Sequence, residues 1–182
     1  MSKGKRFIIT ALLSISALLL ALTSCSESDN NPILSLPSEL TDSDGKLFDN
    51  KSLEGKPLVI NFFASWCDPC KREISEIEKI HNRSYKPELA SKYLDELNVT
   101  FVGINSGETD INRAKDLINQ TGASYVILYG DDGTLLQDVG AVGLPFTMFV
   151  NSDGEIVGTH LTAMSSDDVY ARLDEYFKHD QC

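Results

Sequence analysis

Two cysteines separated by two residues lie near the middle of the chain, in the segment Trp66-Cys67-Asp68-Pro69-Cys70. Such a pair can close a small disulfide loop if the backbone turns into a helix at Cys67. The free N–H groups and positive dipole at that helix end would stabilise a Cys67 thiolate and lower its pKa. Because the thiolate is the nucleophile of disulfide exchange, the spacing predicts Cys67 as the attacking sulfur and Cys70 as the resolving sulfur.

The two residues between the cysteines bear on how readily the pair exchanges electrons. Pro69 fixes one backbone angle and removes one amide donor inside the loop. Asp68 places a carboxylate beside Cys67, and a nearby negative charge disfavours a thiolate. The sequence therefore assigns both residues to redox tuning, and it leaves the potential and the direction of electron flow open.

Two other readings of the cysteine pair are a structural disulfide and half of a zinc site. A structural zinc ion takes four ligands, and the chain has no second pair of cysteines at this spacing. The remaining candidate ligands are scattered along the sequence: His81, His160, His179 and Cys182. We therefore predict no metal and no separate cofactor, with the Cys67–Cys70 disulfide as the redox group. Cys182 is a weaker candidate for a third redox thiol.

The elements that must position the pair are a strand before it and a helix after it. Leu58–Phe63 is a nearly continuous apolar run of strand length, which is typical of a central strand covered on both faces. Beyond Cys67, the residues Cys70, Ile74 and Ile77 recur at helical spacing on one face. Cys70 should therefore be more deeply buried than Cys67.

The rest of the chain alternates strands and helices. Turn signals predict a hairpin at Asp44-Gly45 within Leu40–Leu53, and a short helical piece should follow Pro87 and end at about Leu97. Two strands are predicted next, at Val99–Asn105 and Tyr125–Leu128, with a helix between them from Thr109 or Asp110 to Gly122. The chain should end with an antiparallel pair of strands at Phe146–Val150 and Glu155–His160 and a last helix from Ser165 or Ser166. This order predicts an α/β domain with one mixed sheet and helices on both faces.

Composition excludes several classes of function. The chain has 182 residues, with 16 Lys and Arg against 27 Asp and Glu, and a formal net charge of −11. Binding to a phosphate backbone or to an anionic membrane surface depends on positive charge, so neither is expected. Neither of the common glycine-rich nucleotide-binding motifs occurs in the sequence.

The first residues have the pattern of a secretion signal. Three basic residues precede the apolar run Phe7–Leu22, which is shorter than the ~20 residues of a comfortable membrane helix. Leu22-Thr23-Ser24-Cys25 resembles the bacterial lipobox, in which cleavage leaves an acylated cysteine. We therefore predict a signal peptide over residues 1–24, a lipidated Cys25 with a flexible tether over 25–38, and a folded domain over 39–182. The alternative is an uncleaved anchor with an incidental cysteine.

The segment from Val59 to Cys70 resembles the active-site segment of the thioredoxin superfamily and is most similar to extracytoplasmic TlpA/ResA-type oxidoreductases. Gly143-Leu144-Pro145, followed by Phe146–Val150, matches the second signature of that family. The resemblance implies a thioredoxin-like fold with an N-terminal β-hairpin extension. It also implies a cis Pro145 facing the cysteines, with Trp66, Leu144 and Pro145 contacting substrate.

The segment ending in Glu108 resembles the one in which ResA-like proteins hold a glutamate near the cysteines. A carboxylate buried there would have a raised pKa and could exchange a proton with a thiol. Many cytoplasmic thioredoxins carry a buried Asp six residues before the first cysteine, but this chain has Asn61, which cannot titrate. We therefore predict Cys67, Cys70 and Glu108 as the catalytic residues. The alternative for Glu108 is an exposed acidic side chain.

The resemblance implies a membrane-anchored thiol–disulfide oxidoreductase that faces the periplasm and reduces protein disulfides. Ser26 after the lipidated cysteine favours the outer over the inner membrane. The implied partners are protein thiol or disulfide substrates, of which apocytochrome c is one class, and a membrane thiol-transfer protein as electron donor. The alternative is a thioredoxin-like copper metallochaperone using both thiolates and His160. A thiol peroxidase is disfavoured because Ala64 stands where that class needs a hydroxyl.

Overall fold

The computed structural model describes residues 31–177, which fold around one five-stranded sheet. The strands are β1 (Leu58–Phe63), β2 (Thr100–Ser106), β3 (Val126–Asp131), β4 (Phe146–Val150) and β5 (Ile156–Leu161). Their order across the sheet is β3-β2-β1-β4-β5. Strands β1, β2 and β3 run parallel, whereas β4 is antiparallel to β1 and β5 is antiparallel to β4. The predicted mixed sheet of an α/β domain is confirmed.

The helices follow the predicted order with two additions, a short 3₁₀-helix at Asn50–Leu53 and a short α-helix between β3 and β4. The α-helices are α1 (Asp68–His81), α2 (Pro87–Ser91) with a π-helical turn at Lys92–Glu96, α3 (Ile111–Thr121), α4 (Thr134–Asp138) and α5 (Ser166–Tyr176). Three of their ends carry the predicted capping residues. Asp110 accepts the Asn112 N–H, Gly122 ends α3 with a φ of +69°, and Ser165 forms a reciprocal capping box with Asp168.

A hydrophobic core covers each face of the sheet, and β1 is therefore buried along its whole length. Val59 and Phe63 pack on the face that carries α1, α3 and α5, together with Ile74 and Ile77. Alternate residues of β1, such as Ile60 and Phe62, pack on the other face, which α4 and the N-terminal segment cover. The predicted burial of Leu58–Phe63 on both faces is therefore confirmed.

The described segment before β1 lies along the sheet. The backbones of Thr41 and Tyr129 exchange two hydrogen bonds of 2.9 Å, which pairs this segment with the outer edge of β3. Thr41 also forms an isolated antiparallel bridge with Leu47 around the predicted turn. Neither Thr41 nor Leu47 belongs to one of the five strands, so the N-terminal β-hairpin extension stays a prediction.

Two details differ from the sequence prediction. The third strand runs from Val126 to Asp131, beyond the predicted end at Leu128, because Tyr129 pairs with Thr41 and Asp131 pairs with Ser106 of β2. The short helix α4 was not predicted, since five residues are too few for a helical repeat to show in the sequence. In the structure, the Asp131 carboxylate accepts the N–H groups of Gly133 and Leu135 and so begins this helix.

Candidate active site

Cys67 and Cys70 form a disulfide at the point where β1 passes into α1. Their Cα atoms are 5.2 Å apart. Cys67 is the N-cap of α1, and its sulfur accepts the Cys70 backbone N–H at 3.2 Å. In the reduced state, this position offers a sulfur anion a backbone donor and the positive end of the helix dipole.

Cys70 is more deeply buried than Cys67, as the sequence predicts. Cys67 keeps 5 % of its surface exposed, whereas Cys70 has none. Asp68, in the first turn of α1, is exposed, and Pro69 is half-buried beside it. Cys70 is thus the more deeply buried of the two residues, and the assignment of nucleophile and resolving thiol stays a prediction.

Pro145 lies at the same edge of the sheet as the disulfide. Phe146 follows it and pairs with Phe62, one residue before the end of β1. The Leu144–Pro145 peptide bond is cis, as the family resemblance implied. Leu144 is half-buried, whereas Trp66, which precedes Cys67, is 66 % exposed. Trp66 is thus a surface group and not an aromatic packed under the loop.

A residue of unusual backbone conformation supports the Pro145 loop. Thr162 has a φ of +119°, a region that a β-branched residue rarely adopts. Its N–H donates to the Pro145 carbonyl at 3.3 Å, and its hydroxyl lies 3.1 Å from His160 Nε2. His160 therefore lies near the Pro145 loop at the end of β5.

Glu108 is half-buried after the end of β2 and reaches back to the loop before Cys67. Its carboxylate accepts hydrogen bonds from the Ser65 N–H at 3.0 Å and from the Ser65 hydroxyl. The side-chain amide of Asn105 donates to the same carboxylate at 3.0 Å. The structure thus connects Glu108 to the residue two positions before Cys67, and its predicted catalytic role stays a prediction.

Helix α1 carries a buried carboxylate, that of Glu73, which the sequence analysis did not single out. Glu73 is fully buried on α1, three residues after Cys70, so the two side chains share one helix face. Burial raises the pKa of Glu73 to about 7, and hydrogen bonds from the Thr147 hydroxyl and the Met164 N–H oppose that shift. Within residues 31–177 its second oxygen, Oε2, has no hydrogen-bond partner.

The sequence did contain a signal for Glu73. The apolar positions Cys70, Ile74 and Ile77 define a buried helix face, and a position three residues after Cys70 falls on that face. A glutamate there must lose its hydration, and an ionisable group in such a place has a strongly shifted pKa. The signal for Glu73 is thus a charged residue on an otherwise apolar helix face.

Polar side chains on the central strands lie next to Glu73. Thr147 on β4 pairs in register with Asn61 on β1 and donates its hydroxyl hydrogen to Glu73 Oε1 at 3.1 Å. The Tyr125 hydroxyl donates to Asn61 Oδ1 at 3.2 Å. Burial is the main cause that raises the pKa of Tyr125 well above its usual value, with the Glu73 charge as a second cause. The sheet therefore places Thr147, Asn61 and Tyr125 in a polar cluster that includes the Glu73 carboxylate.

The remaining predicted positions receive no structural test. Cys25, the signal peptide and Cys182 lie outside the described residues.

Within residues 31–177, no three His, Cys, Asp or Glu side chains are grouped so that they could hold a metal ion. None of the helices in that part of the chain is long and apolar enough to cross a bilayer.

Comparison with known proteins gives concordant matches. The family model described as Redoxin matches residues 28–173. The thiol-disulfide oxidoreductase ResA of Bacillus thuringiensis subsp. konkukian is 27 % identical over 139 residues, covering 76 % of this chain and 72 % of that protein. The thiol:disulfide interchange protein DsbE of Yersinia pestis is 30 % identical over 131 residues, covering 71 % of this chain and 62 % of that protein.

One solved structure extends the comparison to three dimensions. It is a secreted disulfide oxidoreductase of Mycobacterium tuberculosis homologous to DsbE of E. coli. It is 25 % identical to this chain, with a TM-score of 0.59, and the match covers 74 % of this chain and 92 % of that one. The same fold therefore accompanies the sequence similarity.

Proposed function

The chain belongs to the Redoxin family, and on that premise we propose that it works as a reductant of disulfide bonds in extracytoplasmic proteins. Its activity is that of a thiol–disulfide oxidoreductase, the activity of its relatives. The observation that carries the proposal is the Cys67–Cys70 disulfide at the start of α1, with the sulfur of Cys67 receiving a backbone N–H. Family membership gives the exchange of thiols and disulfides, whereas the direction of electron flow, from this protein to its substrate, is part of our proposal.

The reaction begins with the reduced dithiol. The Cys67 thiolate attacks one sulfur of a substrate disulfide, forming a mixed disulfide and releasing the other substrate sulfur as a thiolate. Cys70 then loses its proton and attacks Cys67, so the substrate leaves with both cysteines reduced and the enzyme becomes the Cys67–Cys70 disulfide. Two electrons pass to the substrate in each cycle. A donor dithiol returns them, and a membrane thiol-transfer protein is the proposed donor class.

Glu73 takes the proton that Cys70 loses in the second step. The support is its position three residues after Cys70, its complete burial and its unpartnered Oε2. With a pKa raised to about 7, the carboxyl group is close to half ionised near neutral pH and can both accept and return a proton. An ordinary surface glutamate would be ionised throughout that range and would hold a proton only weakly.

The location follows from the sequence pattern of residues 1–38. A lipid on Cys25 would anchor the chain in the cell envelope, and residues 25–38 would serve as its tether to the domain. Facing the periplasm, with the outer membrane favoured over the inner, the protein would meet newly exported cysteine-containing proteins. The haem-site cysteines of apocytochrome c are one such substrate class.

The reduction potential of the purified protein tests the direction. The protein is equilibrated in thiol buffers of graded potential, and the fraction of reduced Cys67 and Cys70 is read by alkylation and mass spectrometry. We expect a value near or below thioredoxin's, about −270 mV, which suits a reductant. A value approaching about −120 mV would make the protein a disulfide donor and would reverse the proposed direction.

The anchor has its own test. Expression in a bacterial host with a radiolabelled fatty acid should label the wild-type chain, and a Cys25→Ser variant should remain unlabelled. Labelling that persists in the variant would overturn the assignment of Cys25.

A further inference from the structure

Three hydrogen bonds converge on the carboxylate of Glu108 at the loop that carries the nucleophilic cysteine. The backbone N–H of Ser65 donates to Oε2 at 3.0 Å, and the Ser65 hydroxyl donates to Oε1. The side-chain amide of Asn105 donates to Oε2, also at 3.0 Å. Both carboxylate oxygens therefore hold Ser65, once through its backbone and once through its side chain.

Glu108 is itself held by contacts from the ends of β2 and β3. Asn105 is 2 % exposed, and its amide also donates to the Phe63 carbonyl at 3.3 Å. The N–H of Gly107 donates to the Asp131 carbonyl at 2.9 Å, which ties the same turn to the end of β3. The carboxylate is thus presented to Ser65 from a rigid edge of the sheet.

The loop that Glu108 contacts is short, and its two end residues, Ala64 and Cys67, are buried. Between the end of β1 and the start of α1 it contains four residues, 64–67, and one backbone bond closes it, from the Cys67 N–H to the Ala64 carbonyl at 3.1 Å. Trp66 is 66 % exposed, so its ring does not anchor the loop in the core. Hydrogen bonds to a charged acceptor are the stronger kind, so the contact with Glu108 is well suited to fix this segment.

We propose that Ser65 and Glu108 form a positioning pair that sets the place of Trp66 and Cys67 for attack on a substrate disulfide. The inference rests on the proposed function, because it concerns the same reaction. Glu108 acts through Ser65 and does not exchange a proton with either cysteine. Among the hydrogen bonds described for residues 31–177, those to the Glu108 carboxylate come from Ser65 and Asn105, and none comes from either cysteine.

Four substitutions separate positioning from proton transfer. Glu108→Gln keeps an oxygen for the Ser65 N–H and gains an amide that can donate to the Ser65 hydroxyl, whereas Glu108→Ala removes both contacts. Ser65→Thr retains the hydroxyl and Ser65→Ala removes it. Glu155→Ala is the matched control, because Glu155 is also half-buried and accepts a side-chain hydrogen bond, from Asn151 at 2.9 Å, but lies beside the β4–β5 turn.

Trp66 gives a direct readout of the loop, since it is the chain's single tryptophan. Time-resolved fluorescence anisotropy of the oxidised protein reports nanosecond motion at this residue independently of any redox activity. We expect added fast depolarisation in Glu108→Ala and Ser65→Ala. Wild-type behaviour is expected in Glu108→Gln, Ser65→Thr and Glu155→Ala.

The second readout is the rate constant for reduction of a peptide disulfide by the reduced protein. A misplaced nucleophile should cost Glu108→Ala and Ser65→Ala about 10-fold or more, while Glu108→Gln and Ser65→Thr should recover most of that loss. If Glu108→Gln falls as far as Glu108→Ala, the carboxylate transfers a proton and the positioning role is overturned. Unchanged Trp66 anisotropy in both alanine variants would overturn it as well.

The two proposals fail in different ways. If the wild-type protein has the potential of a disulfide donor while the alanine variants still loosen Trp66, the reducing function fails and the positioning pair stands. Urea unfolding of each variant controls for folding, and Ser65→Ala keeps the test valid if Glu108→Ala is too unstable to purify.

Discussion

The Thr147 hydroxyl on β4 donates a hydrogen bond of 3.1 Å to the carboxylate of Glu73, which lies three residues beyond Cys70 on α1. This bond joins the central sheet to the helix that carries the cysteine pair. Because Glu73 is completely buried and its Oε2 has no partner within residues 31–177, the ionised form is poorly compensated. Burial therefore raises the pKa of Glu73 to about 7, on the same helix that carries the redox pair.

The buried acid should make the stability of the protein depend on pH. In the unfolded chain Glu73 has its ordinary pKa of 4.5, whereas folding raises that pKa to about 7. Its favourable contribution to folding is therefore fully present below pH 4.5 and is lost as the pH rises through about 7. Relative to Glu73→Gln, the wild type should lose on the order of 3 kcal/mol of unfolding free energy over that range.

Urea unfolding of the oxidised proteins at several pH values measures this difference. Glu78→Gln is the matched control, because Glu78 is also buried on α1 but both its oxygens accept hydrogen bonds from Ser124. A stability difference between wild type and Glu73→Gln that stays constant from acid to alkaline pH would refute the buried-acid assignment.

The same substitution should slow the second chemical step. Glu73→Gln cannot accept the Cys70 proton, so release of substrate from the mixed disulfide should slow, on the order of 100-fold near neutral pH. In the wild type, the rate of this step should fall as the pH drops below about 7, and that inflection should vanish in the variant. Stopped-flow measurement with a pre-formed mixed disulfide isolates the step. Equal pH profiles in the two proteins would remove Glu73 from the mechanism.

Replacing the resolving thiol should trap the intermediate. In Cys70→Ser the attack on the mixed disulfide cannot occur, so a peptide disulfide should accumulate as an adduct on Cys67. Peptide mapping by mass spectrometry locates the adduct, and Cys67→Ser should form none at this site. An adduct found instead on Cys70 of the Cys67→Ser variant, at the wild-type rate, would reverse the assignment of the two sulfurs. Trapping at Cys182 would overturn it altogether.

A close approach between β5 and α5 offers a test of packing. A Cβ added to Gly158 would lie 2.3 Å from the Tyr176 ring, which itself packs on Phe149 with ring centroids 5.0 Å apart. Gly158→Ala should therefore lower the free energy of unfolding by about 1–3 kcal/mol, the usual cost of overpacking. Gly143→Ala is the control, since nothing lies within 4 Å of its added Cβ. Equal unfolding free energies for the two variants would contradict the packing described here.

Much of the fold could be predicted because its signals are local. The burial of β1, the start of the helix at Cys67 and the caps at Asp110 and Ser165 depend on residues that are neighbours in sequence. Helix α4 could not be predicted in the same way. It has five residues, and what begins it is the Asp131 carboxylate at the end of a strand, together with burial of Leu135 against the sheet.

In the candidate site, too, some features could be predicted from neighbouring residues and others depend on the tertiary structure. The sequence alone determined the cysteine pair, its place between a buried strand and a helix, and the order of β1, α1 and the segment with Pro145. Only the tertiary structure decided which groups surround the Glu73 carboxylate. Glu73 is buried because Thr147 and Met164, far along the chain, close over it, and burial is what raises its pKa. A pKa depends on the surroundings that folding assembles, so residue type and spacing could name the redox group and place Glu73 on a buried helix face but could not fix its pKa.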